Sequence, residues 1–214
     1  MRKLFYFLFI SLFLNPSFIY AEKQEELSQY PFKKRFLMAI LPFEDKTKDK
    51  KYEYLGSRIA DQIINEIFSY SRYRLIEREK LSALVDEMQV QQSEYFKKDV
   101  INKIGNQLGA ELMLVGSIIE ISKHTDKQSL GLISKQKTII KISLEARVVH
   151  IATGEIIVIS KWSGEEKTSK KRALIATTGD NKKEEELIAD AIKKAVKKIA
   201  YQISKNAPVK TEDR

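Results

Sequence analysis

The chain has no cysteine, only two histidines, and no apolar run of membrane-spanning length beyond its first residues. Without cysteine it cannot be stapled by disulfides, cannot use a thiolate nucleophile, and cannot carry the lipid-modified cysteine that follows an export signal in lipoproteins. The two histidines, His124 and His150, have no metal-ligand spacing to each other or to carboxylates. His150 is read as structural. No GxGxxG, P-loop or G-x-S-x-G pattern occurs. Glu44 and Asp45 are adjacent acids that could be imagined as a catalytic pair, but neighbouring acids in a charged loop are ordinarily just solvated. No residue is therefore assigned as catalytic, cofactor-binding or metal-ligating, and no cofactor is expected.

What is present is an ordinary globular composition: 214 residues, 43% hydrophobic and 31% charged, enough for one sizeable core. The first 21 residues carry Arg2 and Lys3, an apolar stretch from Leu4 to Leu14, and a small residue at Ala21. That is the layout of a secretory signal peptide with cleavage after Ala21. The competing reading, a membrane anchor, fails on length, since a spanning helix needs ~20 apolar residues. Removing Arg2 and Lys3 lowers the formal charge from +9 to +7. A basic exported protein can meet an acidic partner, anionic lipid or cell wall, whereas nucleic acid is excluded by the compartment. Most such lysines simply solvate a surface.

The expected domains are a signal peptide (1–21), a linker (22–34), an α/β domain (35–205) and a disordered tail (206–214). The chain is organised around residues 108–117, where a helical pattern ends at Gly109 and an apolar run begins at Leu112. This predicts a helix closing into a buried central strand. Before it, residues 36–41 read as a strand ended by Pro42, and 43–51 as a charged loop. Leu55, Ile59, Ile63 and Ile67, widened by Ile64 and Phe68, mark an amphipathic helix. A short strand at 73–77 and a helix through Leu81, Leu84, Val85 and Met88 follow. A further helix, capped by Asp99, leads to Gly109, and the lone Gly105/Gly109 pair is explained by close packing and a helix cap.

After Ile121 the sequence turns polar, and 122–136 reads as a connection. From Thr138 to His150 apolar residues alternate, with Ile140, Ile142, Leu144, Ala146 and Val148 on one face. A tight turn at 151–155 returns the chain as a hairpin strand, 156–162. Residues 164–183 read as a polar loop, and Ile188, Ile192, Ala195, Ile199 and Ile203 line a final helix. Its glutamates 184–186 sit at the positive end and its lysines 193–198 further along. Those lysines could touch anionic lipid, although a solvated face is the ordinary explanation. The predicted fold is α/β and three-layer-like: a mixed, partly antiparallel sheet flanked by helices, in the order β-α-β-α-β-β-β-α.

Several of these pieces, in this order, resemble one family. Residues 38–45 (MAILPFED), Tyr54-Leu55-Gly56 with Ile59-Ala60-Asp61, 74–78 (RLIER), Leu108-Gly109-Ala110 with Val115-Gly116-Ser117, and Thr153-Gly154-Glu155 are similar to the CsgG family, known for the curli-secretion lipoprotein. The likeness runs from about Phe36 to Ile203. It implies an α/β periplasmic domain similar to the activator lipoproteins of peptidoglycan synthases and to the TolB amino-terminal domain. In curli secretion, subunits of this type form a ring-shaped outer-membrane pore to which each contributes two transmembrane hairpins. Two departures stand out: the lipidated cysteine is missing, and 122–137 and 161–172 carry charge on both alternating faces.

The resulting expectation is a non-enzymatic, exported envelope protein of the CsgG type. It acts by protein–protein interaction and assembly in the periplasm, associated with the outer membrane. Its partners are other envelope proteins, with a homo-oligomer and a peripheral contact with anionic membrane or cell wall also allowed. The rivals are a subunit of an oligomeric outer-membrane secretion channel for curli-like proteins and, more remotely, a periplasmic enzyme. Amino-terminal sequencing of the exported protein is expected to begin at Glu22. Retention of Met1 would identify the segment as an anchor instead.

Overall fold

A computed structural model describes residues 26–47, 49–90, 94, 97–130, 133–173, 176–179 and 182–211; the expected signal segment lies outside these. Seven strands form one mixed sheet: β1 (Leu37–Ile40), β2 (Glu44–Asp45), β3 (Arg74–Leu75), β4 (Leu112–Leu130), β5 (Ile133–His150), β6 (Ile156–Ala173) and β7 (Ala176–Gly179). Four helices accompany them: α1 (Leu55–Tyr70), α2 (Arg78–Glu87), α3 (Lys98–Leu108) and α4 (Glu184–Lys205). The strand order is β3-β1-β4-β5-β6-β7, with β2 beside β4. β1, β2 and β3 pair in parallel, while β4 to β7 are antiparallel. The α/β class, the mixed sheet and the flanking helices match expectation.

The central strand is covered on both faces. Leu112, Leu114 and Ile118 join Ile140, Ile142, Leu144, Ala146 and Val148 beneath α1 and α4. Met113 and Val115 face the other way, with Val149, against Leu81 and Val85 of α2 and Ile101 and Ile104 of α3. A bulge between Ile118 and Glu120 inserts one residue, so that Ile118 and Ile121 both turn toward α4. Without it the register would flip and Ile121 would face water.

Helix α3 ends at Gly109 (φ 64°), a left-handed position that suits glycine. Gly105, one turn earlier, leaves no room for a Cβ against Ile151, so the two glycines are a packing site and a cap. On α4, Leu187, Ile188, Ile192, Val196, Ile199 and Ile203 are buried, each worth about 1.5–3 kcal/mol in transfer terms. Among the described residues no helix is long and apolar enough to cross a membrane.

Several expectations are corrected. The first strand does end before Pro42, but the charged loop expected after it is partly strand, because Glu44 and Asp45 form β2 and pair with β4. Phe43, placed in a charged loop, is completely buried and donates its N–H to Gly56 O at 3.1 Å. Phe68 does not widen the buried stripe and is 70% exposed. Lys97, not Asp99, occupies the N-cap of α3. Residues 206–211 were expected to be a tail. Instead the Lys210 N–H bonds Lys34 O at 3.0 Å and Tyr30 Oη donates to Ala207 O at 3.1 Å.

The largest correction concerns the polar stretches. Residues 122–130 and 133–137 are not a connection: they continue β4 and β5 as a hairpin, paired from Ser122–Lys141 to Leu130–Ile133. Residues 164–173 are likewise strand, paired with β5 as far as Ser134–Arg172. A three-stranded ribbon thus extends past the apolar core. Backbone hydrogen bonds do not depend on side-chain polarity, so the ladder continues where the apolar alternation stops.

Gly164 is where the ribbon leaves the body. A Cβ there would lie 1.7 Å from the Ala191 carbonyl oxygen of α4, so helix and strand touch backbone to backbone. Gly164→Ala is expected to cost about 2–3 kcal/mol in urea unfolding, because α4 must lift. Lys161→Ala, at an exposed position on the same strand, should change stability by less than about 0.5 kcal/mol. Equal effects would contradict the close approach.

Candidate interaction surface

The ribbon has two faces set by strand alternation. On the α4 side the cross-strand rows are Lys123–Ile140–Glu166, Thr125–Thr138–Thr168 and Lys127–Gln136–Lys170. Apart from Ile140 and Glu166, these residues and the start of α4 (Glu184, Leu187) bound a cavity of about 670 Å³ that Lys182 also lines. The outer rows are His124–Ile139–Lys167 and Asp126–Lys137–Ser169, followed by Gln128 beside Lys135. Both faces are therefore charged.

Ion pairs fix the ribbon against the body. Glu184 accepts from Lys123 at 2.5 Å and from Lys51 at 2.6 Å, joining β4, α4 and the segment before α1. Hydrogen bonds from Lys123 and Lys51 outweigh burial and hold the Glu184 carboxyl below its ordinary range. Lys194 of α4 donates to Glu166 at 2.5 Å and to Glu165 O at 2.8 Å. Lys182 reaches Asp190 at 2.7 Å, and its hydrogen bond lowers that carboxyl in turn. Solvent-exposed pairs of this kind contribute about 0–1 kcal/mol each, so they orient the ribbon more than they stabilise it.

A second cluster closes the opposite end of the body. Arg72, only 8% exposed, donates to Ser28 O at 2.9 Å and to Tyr30 Oη at 3.0 Å, with its guanidinium 4.4 Å from the Tyr30 ring centroid. Tyr73 Oη donates to Ile203 O at 3.0 Å, and burial pushes its phenol up. Glu111 accepts the Leu37 N–H at 2.8 Å, lies 3.5 Å from Arg74, and pairs with Lys210. Burial alone would raise the Glu111 carboxyl, but Lys210, the Leu37 N–H and Arg74 together bring it below its ordinary value.

The residues singled out in the sequence do not converge. His124 lies 2.7 Å from Asp126 on the exposed outer face. His150 is the last residue of β5, beside Thr153 of the following turn, its ring edge-on to Phe36. Glu44 and Asp45 are successive strand residues pointing to opposite sides, and Asp45 accepts the Thr47 N–H at 2.8 Å. Among the described residues no group of three or more histidines, aspartates or glutamates is placed to hold a metal. The ribbon residues Thr125, Lys127, Gln136, Thr138, Thr168 and Lys170 were missed. Nothing apolar recurs there, and their alternation reads as irregular polar sequence.

The depressed carboxyls have a pH consequence. A glutamate whose folded pKa is lowered contributes stability that is fully present above its ordinary value of 4.5 and is lost as pH falls through the folded value. Wild-type stability is expected to fall on acidification below that value, and to fall less steeply in Glu111→Gln and Glu184→Gln. Parallel curves for wild type and both variants in urea melts would contradict the assignment.

Comparison with known proteins now bears on this arrangement. No curated protein matches the chain. Among solved structures, the hypothetical protein CT253 from Chlamydia trachomatis aligns at TM-score 0.50 and 15% identity over 81% of this chain and 98% of its own. Lipoprotein GNA1162 from Neisseria meningitidis aligns at 0.49 and 14% over 72% and 90%. The LpoB C-terminal domain from Salmonella enterica aligns at 0.42 and 14% over 61% and 82%. Likeness at such identities concerns the fold alone. The family described as curli production assembly/transport component CsgG matches residues 21–211, essentially everything after the expected signal segment, and the chain belongs to the CsgG family.

Proposed function

We propose that this protein is a non-enzymatic component of the cell envelope, exported to the periplasm, that works near the outer membrane by binding other proteins. The observation that carries the reading is the three-stranded ribbon, which is charged on both faces and braced by α4. A surface of alternating lysine, threonine, glutamine and acid offers hydrogen bonds and charge to a polar partner. Membership of the CsgG family supports an assembly role, and the two histidines and the acids of β2 bring no catalytic constellation together.

A secretion-channel subunit is the second reading, favoured by the ribbon's reach. Lys123 to Leu130 covers about 24 Å at strand rise, close to the ~25 Å apolar band of an outer-membrane barrel. Chemistry decides against it. A lysine facing lipid near mid-membrane costs about 2–4 kcal/mol, and each face holds three: Lys123, Lys127 and Lys170 on one, Lys135, Lys137 and Lys167 on the other. Roughly 6–12 kcal/mol per subunit is comparable to the entire stability of a domain.

A photo-crosslinking residue replacing His124 or Lys135 in the producing cell is expected to yield discrete adducts with envelope proteins or with a second copy. Lipid adducts alone, or no protein adduct from either position, would contradict the proposal.

A further inference from the structure

Strand β6 has an open edge. It pairs with β5 along its length, but β7 covers its other side only from Lys170 to Ala173. Among the described residues no other strand pairs with it. The Glu165 carbonyl accepts Lys194 Nζ at 2.8 Å, so it points away from β5. Antiparallel backbone alternates, and the β5–β6 register is unbroken here. The N–H and C=O groups of Lys161, Ser163, Glu165 and Lys167 therefore face outward together. Such a row is a template for an added strand.

The surroundings specify what would add. Lys194, Lys197 and Lys198 of α4 stand along this edge and, with Trp162, Ser163, Gly164 and Glu165, line a groove of about 680 Å³. Lys198 Nζ lies 5.5 Å from the Trp162 ring centroid. Lys161 and Lys167 project on the opposite face of the strand. The two acids present are already engaged: Glu165 by Lys167 at 2.8 Å, and Glu166 by Lys194 at 2.5 Å and Lys182 at 3.6 Å. Positive charge thus remains in excess on both sides of the row of outward-facing backbone groups.

We propose that the open edge of β6 is a docking strand for an extended acidic segment of another polypeptide, which adds to the sheet in line with β7. Guest amides take the outward carbonyls, replacing Lys194 at Glu165. Guest carboxylates on the helix side meet Lys194, Lys197 and Lys198, and those on the other side meet Lys161 and Lys167. Edge lysines alone would only discourage pairing. Here the α4 lysines converge over a groove instead, with an aromatic floor at Trp162. Only Lys167 is shared with the ribbon faces invoked above; the rest of the site lies along the strand edge, so the peptide titration and the ribbon crosslinks test the two readings separately.

Trp162 is the sole tryptophan and reports on the groove directly. The full chain is titrated with an octapeptide of alternating glutamate and valine, following tryptophan emission. A saturable change is expected, weakened about tenfold or more in a Lys161→Glu/Lys197→Glu variant that retains the wild-type circular dichroism spectrum. The same peptide with alternate amides N-methylated keeps its charge but cannot add as a strand, and it should bind at least about tenfold more weakly. An alternating lysine–valine peptide should give no response. Equal binding of the N-methylated peptide, which would reduce the site to charge alone, or no response to the glutamate–valine peptide, overturns the proposal.

Discussion

The long antiparallel ladder of β4, β5 and β6 is the feature on which the rest of this molecule depends. In the lower half of the ladder β4 is buried between two helical layers, α1 and α4 on one face and α2 and α3 on the other, while Ile159 of β6 is exposed. Over its upper half the same hydrogen bonds continue, with threonine, lysine and glutamine where isoleucine and leucine stood. A strand's pairing is specified by backbone geometry and its face by alternation. One ladder can therefore join an apolar core to a charged arm without a hinge.

Helix α4 is the second determinant, because it joins the ribbon, the sheet and the segments at both ends of the body. Its middle crosses β6 at Gly164 without a side chain between them. Its first turn gathers Lys51 and Lys123 on Glu184, and its far end receives Tyr73 at Ile203 and, through Ala207, Tyr30. Lysines on the side away from the core do not merely solvate it. Lys194 bonds both a carboxylate and a main-chain oxygen of β6. A packed face, a bracing face and a sheet edge are thus combined on one element, which is how a small fold can hold a charged arm in a defined direction.

Much of the body was legible in the sequence because burial writes itself as periodicity. The alternation from Ile140 to Val148, the four-residue recurrence in α1 and α4, and the left-handed Gly109 all correspond to structure for the physical reasons that made them readable. Phe43 was misread because a single buried aromatic between Pro42 and Glu44 has no period. Phe68 was misread because it lies on the border of its stripe. The ribbon could not be read at all. With polar and charged residues on both faces there is no apolar alternation, and 122–137 and 164–173 look like loops to any argument from hydrophobicity. The docking of 206–211 depends on the distant partners Lys34, Tyr30 and Glu111, which local sequence does not reveal.

The central claim is that the ribbon stands in water rather than in lipid. The natural chain has no cysteine, so single cysteines can be introduced without interference. An environment-sensitive fluorophore placed at Asp126 on the outer face, and separately at Lys127 on the α4 side, would be read in native envelope vesicles with aqueous and lipid-borne quenchers. The account predicts water-like emission quenched by iodide at both positions. Blue-shifted emission quenched by nitroxide lipids at one position and not at its neighbour would contradict it, since that alternation is the signature of a membrane-inserted strand.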